Sequence, residues 1–282
     1  DSFQLSDVGV TEEKIGSVLF DGDGDFLDIG GHSDFSLGTD DFTLECWIKT
    51  AVSAADGSKN RTIWMLDGPT GDGEGQLKFN INPSGGVINL LASTTAFSGI
   101  SDVADDKWHY IAIVRKDETF TLYVDGKYEN SASFSGSLSP NNGSPRPRLG
   151  TWNNANGNFN GNISNLRLVK GAARYISDFT PSKAPLKDVP GTILLCCKNS
   201  GSVTAFDVSP TAITNTGSSI SDASPFFKST AEYYYESRNF VRFKFPGTGW
   251  QRISYPPVTI NVNAEITGGS IGTITATPIV RG

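Results

Sequence analysis

Histidine and cysteine are almost missing from this chain, with two and three residues respectively among 282. There is no Cys-x-x-Cys pair and no histidine-rich tract, which argues against a structural zinc site. Three cysteines cannot make a complete intrachain disulfide framework. Cys46 sits at an inward position of a strand pattern, as a small buried hydrophobe does. Cys196-Cys197 continues another strand with its thiols on opposite faces, and a vicinal disulfide or a bridge to Cys46 stays open beside that reading. Long apolar runs are lacking too; none approaches the roughly 18 to 20 residues that cross a bilayer, so no membrane span is expected. Positive charge is scarce, with 23 Lys and Arg against 30 Asp and Glu, a formal charge of −7 and a pI near 4.9. An acidic surface repels phosphate backbones, so we expect no nucleic-acid partner. The nucleophile elbow G-x-S-x-G, the phosphate loop and H-E-x-x-H are absent. The chain opens on Asp1 without a basic-then-apolar leader pattern, as a processed or truncated chain does.

What the chain does carry is alternation. Phe120, Leu122 and Val124 fall on one side of an extended segment, and Thr121 and Tyr123 on the other. Trp108 to Val114 is almost continuously apolar, which suits a strand near the middle of a sheet, and Lys116-Asp117-Glu118 supplies the turn between the two. Phe42, Leu44, Cys46 and Ile48 alternate with Thr43, Glu45, Trp47 and Lys49. Trp47 therefore stands on the outer side, as filler under a loop or as a platform for a sugar ring. Thr62–Leu66, Leu77–Ile81 and Val87–Leu91 read as further strands. Ile163 and Leu166 lie three apart, so a bulge is needed to bury both. Helical periods are few and 31 glycines punctuate the chain, so the expected fold is all-β, two antiparallel sheets stacked as a sandwich.

The expected divisions are an N-terminal arm over 1–16, the sandwich over 17–197, a Ser/Thr/Gly-rich connector over 198–225 and a small β-rich region over 226–282. So few strands in that last region bury little area alone. It is either a small second domain or a surface that needs a neighbouring subunit.

Three loops stand out. Asp21-Gly22-Asp23-Gly24-Asp25 departs from the calcium-loop pattern at Gly24 and Asp25 and has no closing Glu, so we read a hairpin turn. Asp67 to Gly75 packs Asp67, Asp72 and Glu74 among four glycines, as a solvated hairpin loop does or as carboxylates that could meet an ion. Leu149 to Phe159 presents Trp152 with Asn153, Asn154, Asn156 and Asn158. Amides donate and accept hydrogen bonds and an indole packs on the apolar face of a pyranose, which is the chemistry of a glycan site. The other reading is that Asn and Gly simply form turns well. Ser144-Pro145-Arg146-Pro147-Arg148 reads as an edge connection, because proline cannot donate to a ladder.

These segments carry a resemblance. Trp108-His109-Tyr110-Ile111-Ala112 followed by Leu122-Tyr123-Val124-Asp125-Gly126 resembles the signature of laminin-G-like modules of the concanavalin A-like lectin/glucanase superfamily. Val18–Gly22 with Phe26–Ile29, Phe42–Lys49 and Phe159–Arg167 resemble its other strands, in order. The resemblance implies a jelly-roll sandwich. Several members of the superfamily hold calcium at the rim through loop carboxylates, which makes Asp67, Asp72 and Glu74 the metal candidates and Ca2+ the one implied ion. The glucanase branch works with an E-x-D-x-E strand, and no such run exists here, so no catalysis is expected. The run from Arg167 to Pro181, with the later Leu194-Leu195-Cys196-Cys197, resembles laminin-G-like modules of bacteriophage virion proteins, particularly those of marine phages. That resemblance implies a virion structural or decoration protein in an oligomer or larger assembly. Its C-terminal strands would dock on other virion subunits and its sandwich would meet host-surface glycans. A secreted or cell-surface lectin-like module is the alternative, and a glycoside hydrolase has only the fold behind it.

Overall fold

A strand with one apolar row is stable only when that row meets another, and here the rows of two sheets meet. The computed structural model describes residues 15–51, 61–67, 77–82, 85–93, 95–138, 145–152 and 157–226, together with strands beyond residue 231. The chain divides into two compact units, Lys14–Pro225 and a second that joins Asp1–Glu13 to Phe226–Gly282.

The larger sheet of the first unit contains β1 (Ser17–Asp21), β3 (Phe42–Lys49), β8 (Trp108–Lys116), β9 (Thr119–Val124), β10 (Lys127–Ser133), β12 (Asn160–Lys170), β13 (Thr192–Cys196), β14 (Phe206–Val208) and β16 (Ser219–Ser221). The smaller contains β2 (Phe26–Asp28), β4 (Arg61–Asp67), β5 (Leu77–Ile81), β6 (Ile88–Ala92), β7 (Thr95–Ser98), β11 (Arg146–Leu149) and β15 (Thr214–Thr216). Their orders are β10-β9-β8-β3-β12-β1-β16, with β13 also on β12 and β14 on β13, and β15-β2-β11-β4-β5-β6-β7. Every pairing is antiparallel. This is the two-sheet sandwich that alternation predicts and the jelly roll that the resemblance implies, and the described residues contain no α-helix, only a 3-10 turn at Ser33–Phe35. No helix among them is long and apolar enough to cross a membrane.

The core lies between the sheets and is rich in aromatic rings, among them Phe20, Phe42, Phe79, Phe120, Phe159 and Trp64, all essentially inaccessible. Each such burial stabilises by about 1.5–3 kcal/mol relative to an exposed side chain. β8 lies between β9 and β3, as its unbroken apolar run requires. β12 is long enough to pair with β1 through its first half and β13 through its second. Between the halves, register slips at Ser164–Arg167 and Asn165 takes φ 52°. That bulge puts both Ile163 and Leu166 in the core, as their spacing demands.

Several expectations need correction. Asp21–Asp25 is no hairpin turn, because β1 and β2 lie in opposite sheets; the loop carries the chain across the sandwich, with Gly22 and Gly24 at φ 87° and 85°. Residues 127–133 form β10 on the edge beside β9. The segment 198–225, expected as a connector, supplies the short strands β14, β15 and β16 to both sheets. β11 is interior, flanked by β2 and β4, despite Pro147. An antiparallel residue points its N–H and C=O at the same neighbour. The Pro147 carbonyl accepts from Ile29 N at 3.1 Å, one residue past the end of β2, so the missing N–H interrupts no ladder bond. Cys196 and Cys197 do not face apart. Cys197 takes φ 60°, which turns both thiols into the core with their sulfurs 3.6 Å apart. All three cysteines are free and buried.

In the second unit β17 (Glu232–Ser237), β18 (Phe240–Lys244) and β19 (Trp250–Ser254) make a three-stranded antiparallel sheet. Two shorter ladders join Ile260–Val262 to Ile274–Ala276 and Glu265–Ile266 to Gly269–Ser270. Residues 1–14 of the expected arm lie outside the described residues.

Candidate functional site

The outer face of the smaller sheet is set by register. Lys78 stands opposite Met65 on one side and Leu91 on the other, and Met65 stands opposite Arg148. Asn80 lies two residues from Lys78 on the same face, opposite Thr62 and Asn89. The loop that follows β11 turns at Gly150, φ 89°, where a Cβ would run into the Phe20 ring. It closes on itself at the base. Phe159 N donates to Gly150 O at 2.8 Å, Thr151 Oγ1 to Asn158 Oδ1 at 3.1 Å, and Thr62 N to Gly157 O at 2.8 Å.

This frame delivers Trp152, half-buried, to the Lys78 ammonium, whose Nζ lies 4.2 Å from the indole centroid. A cation over an indole is attracted by about 0.5–1 kcal/mol at an exposed site and more when desolvated. Lys78 is 9% exposed, so the indole is fixed against a shielded cation. Beside them Asn80 is 3% exposed and its Oδ1 has no hydrogen-bond partner. A buried acceptor left unmade costs about 1–3 kcal/mol. At the far end of the same face Asp28 is held by Arg146, whose Nε donates to Oδ1 at 2.8 Å, and by Arg148 at 3.6 Å.

Of the five residues named for a glycan, Trp152 and Asn158 are described, and Asn153, Asn154 and Asn156 lie outside the described residues. Asn158 braces the loop base, since its side-chain oxygen receives Thr151 and its backbone carbonyl receives Arg61 Nη1 at 3.3 Å. Sequence reasoning missed Lys78 and Asn80. Their outward position was visible in the alternation of Leu77–Ile81, but their meeting with Trp152 depends on the order of strands in the sheet. Of the metal candidates, Asp67 closes β4 opposite Arg146, and Asp72 and Glu74 lie outside the described residues. Among the described residues no group of three His, Cys, Asp or Glu side chains suits a metal ion.

Two other charged clusters are engaged in holding the larger sheet. Glu45, 1% exposed, accepts from Arg167 Nε at 2.7 Å, from the Tyr175 hydroxyl at 2.7 Å and from the Tyr110 hydroxyl. Burial and the neighbouring Glu45 carboxylate push both tyrosines up, so neither is available as a base. His109 joins Asp125 at 2.7 Å through Nδ1 and Asp105 at 2.9 Å through Nε2. Asp125 also accepts from Tyr110 N at 2.8 Å. The histidine thus ties the β9–β10 turn to the start of β8.

Two stacked antiparallel sheets in this order are a lectin-like fold, and the comparison with known families agrees. Residues 21–174 match the laminin G family described as the concanavalin A-like lectin/glucanases superfamily, and the chain belongs to it. Among solved structures it is similar to a candidate carbohydrate-binding protein from Bacteroides ovatus, at 15% identity and TM-score 0.52, over 73% of this chain and 60% of that one. This chain thus spans less than two thirds of the Bacteroides protein. It is also similar to a heptameric SAP-like pentraxin from Limulus polyphemus, at 12% identity and TM-score 0.51, over 74% of this chain and 95% of that one. The LG4-5 domains of the mouse laminin alpha1 chain match at 17% identity and TM-score 0.41, over 59% of this chain and 47% of theirs. No curated protein sequence matches.

Proposed function

We propose that this chain is a non-catalytic glycan-binding module displayed on a larger assembly. One observation carries the reading: Trp152 fixed against Lys78, beside the buried and unpartnered acceptor of Asn80. An indole face, a donor and an acceptor on one sheet face are what a sugar ring needs. The Bacteroides neighbour's description as carbohydrate-binding lends support at the level of fold. Asn153, Asn154 and Asn156, which lie outside the described residues, join the reading only as neighbours of Trp152 in sequence. A calcium ion held by Asp67, Asp72 and Glu74 is a further element of the reading.

The assembly is a phage virion, in which the module serves as a decoration or tail-fibre element and docks through residues 226–282. This part rests on the resemblance of Arg167–Pro181 to virion modules. Many weak copies on one particle bind a surface by avidity.

The test is a glycan array probed with the full chain before and after chelation by EGTA, alongside mass spectrometry of purified virions. We expect glycan signals that Trp152→Ala removes and EGTA weakens. An array that is blank, or blind to Trp152→Ala, overturns the binding role, and a chain absent from virions but found on a cell surface moves the module to the secreted alternative.

A further inference from the structure

β13 ends in a way that an ordinary strand does not. Adjacent residues of an extended chain point to opposite faces, and Cys197, at φ 60°, breaks that rule. The left-handed region is costly for any residue with a Cβ, and glycine would occupy it without that cost. The effect of placing cysteine there is to turn its thiol to the same side as that of Cys196. The two sulfurs lie 3.6 Å apart, both inside the core. A costly backbone conformation kept for such a result points to a use for the pair.

The cover beside the pair is thin. β14 is three residues long and meets β13 only at Leu195–Val208 and Cys196–Phe206, with a register slip between them. Phe206, across from Cys196, is 43% exposed. An ion pair from Lys198 to Asp207 fastens this strand. So short an edge opens more readily than the strands of the core. While it is closed the pair is inert, because the hydrogen bond to Cys197 and burial push the Cys196 thiol up, and the thiolate is the reactive form. Reaction therefore waits on β14.

We propose that Cys196 and Cys197 form a redox modification site, a vicinal dithiol that hydrogen peroxide converts to a disulfide when β14 opens. The thiolate of one cysteine attacks a peroxide oxygen, the O–O bond breaks, and the departing hydroxide takes the thiol proton as water, leaving a sulfenic acid. The neighbouring sulfur displaces the sulfenic hydroxyl, which leaves as a second water with the second thiol proton, and the S–S bond forms. Two thiols are oxidised and one peroxide is reduced. The bond is readily undone, since adjacent α-carbons lie about 3.8 Å apart across a trans peptide, less than the about 4.4–6.8 Å of ordinary disulfides, and strained disulfides are more reducible. The change is felt in the fold. The Cys197 carbonyl accepts from Asn165 N at 3.0 Å in the β12 bulge, and Asn165 Oδ1 accepts from Leu186 N at 2.8 Å. Drawing the sulfurs to about 2.0 Å moves Cys197 and loosens that anchor. None of this rests on the Trp152 site or on the assembly role.

The test is exposure of the full chain to hydrogen peroxide at neutral pH, then alkylation with N-ethylmaleimide in urea and peptide mass spectrometry, for wild type, Cys46→Ala, Cys197→Ser and Asp207→Ala. We expect a single disulfide between Cys196 and Cys197, reversed by dithiothreitol, kept in Cys46→Ala and absent from Cys197→Ser. Should Cys197→Ser fail to fold, the bond mapped in wild type and Cys46→Ala decides the site. Asp207→Ala, which unfastens β14, should speed the reaction about two- to five-fold, the effect of one partly exposed ion pair on local opening. Amide exchange at Leu186 should quicken in the oxidised wild type. Three alkylated thiols after exposure, a bond made to Cys46, or sulfinic acid in place of the bond overturns the proposal. An unchanged rate in Asp207→Ala overturns the gating by β14, and unchanged exchange at Leu186 overturns the coupling to the fold.

Discussion

Glu45 shows how much one outward-facing residue can hold. It lies on the outer side of β3, where solvent is the usual neighbour, yet Arg167, Tyr110 and Tyr175 use its oxygens and leave its side chain inaccessible. Removing one partner of a buried pair strands the other, at a cost of about 3–5 kcal/mol. Glu45→Ala should lower stability by that order in urea unfolding, and a loss under about 1 kcal/mol, as for a surface pair, would show Arg167 to be hydrated. His109 makes a pH-dependent prediction. Its hydrogen bond to Asp125, aided by Asp105, raises the imidazole above 6.5 against the opposing effect of burial. Its contribution is therefore complete below 6.5 and is lost as the pH rises through the higher folded value. Asp105 behaves oppositely: its hydrogen bonds to Lys107 and His109 hold it below 3.8, and its contribution is lost only as the pH falls through the lower folded value. The thermal midpoints of the wild type and His109→Gln, measured from weakly acidic to weakly alkaline pH, should converge as the pH rises. Divergence would contradict the assigned bonds.

At the scale of elements, the larger sheet has a cover of its own. Tyr110, Ala112, Val114 and Tyr123 form a second apolar cluster on its outer face, packed under Trp47, Tyr175 and Phe179. Of the two readings for Trp47 the structure supports the filler, its ring 5.1 Å from Tyr110. The cover is pinned where Phe179 N donates to Gly126 O at 2.8 Å, and Gly126 has φ 75° with its α-carbon facing the Phe179 carbonyl. Gly126→Ala should cost about 1–3 kcal/mol and expose the segment to limited proteolysis near Tyr175; unchanged cleavage would show that the cover is held elsewhere. Legibility at this scale followed range. The β8–β9 hairpin and the bulge in β12 were readable because alternation and its breaks are local. The three-residue strands β14, β15 and β16 were not, since so short a run has no period and forms only because β13, β2 and β1 offer open edges. Pro147 misled for the same reason: whether its missing donor matters depends on where β2 ends.

For the whole molecule, the two units invite separate tests. The sandwich Lys14–Pro225 is a compact unit with a continuous core. The proposal gives assembly to the C-terminal strands and binding to the sandwich. Light scattering on the full chain should report an oligomer, and a fragment ending at Pro225 should be monomeric with its glycan affinity per site unchanged. A monomeric full chain would remove the assembly role. The Trp152 candidate was legible as composition, an indole among amides, whereas Lys78 and Asn80 emerged only once β11, β4 and β5 were set side by side. The account as a whole is tested most directly by calorimetric titration of the strongest array glycan into wild type, Trp152→Ala and Asn80→Ala, with chromatography of the glycan afterwards. We predict saturable binding to the wild type, at least ten-fold weaker binding to each variant, about 1.4 kcal/mol, and a glycan recovered intact. Equal affinity in all three proteins, or a cleaved glycan, would contradict it.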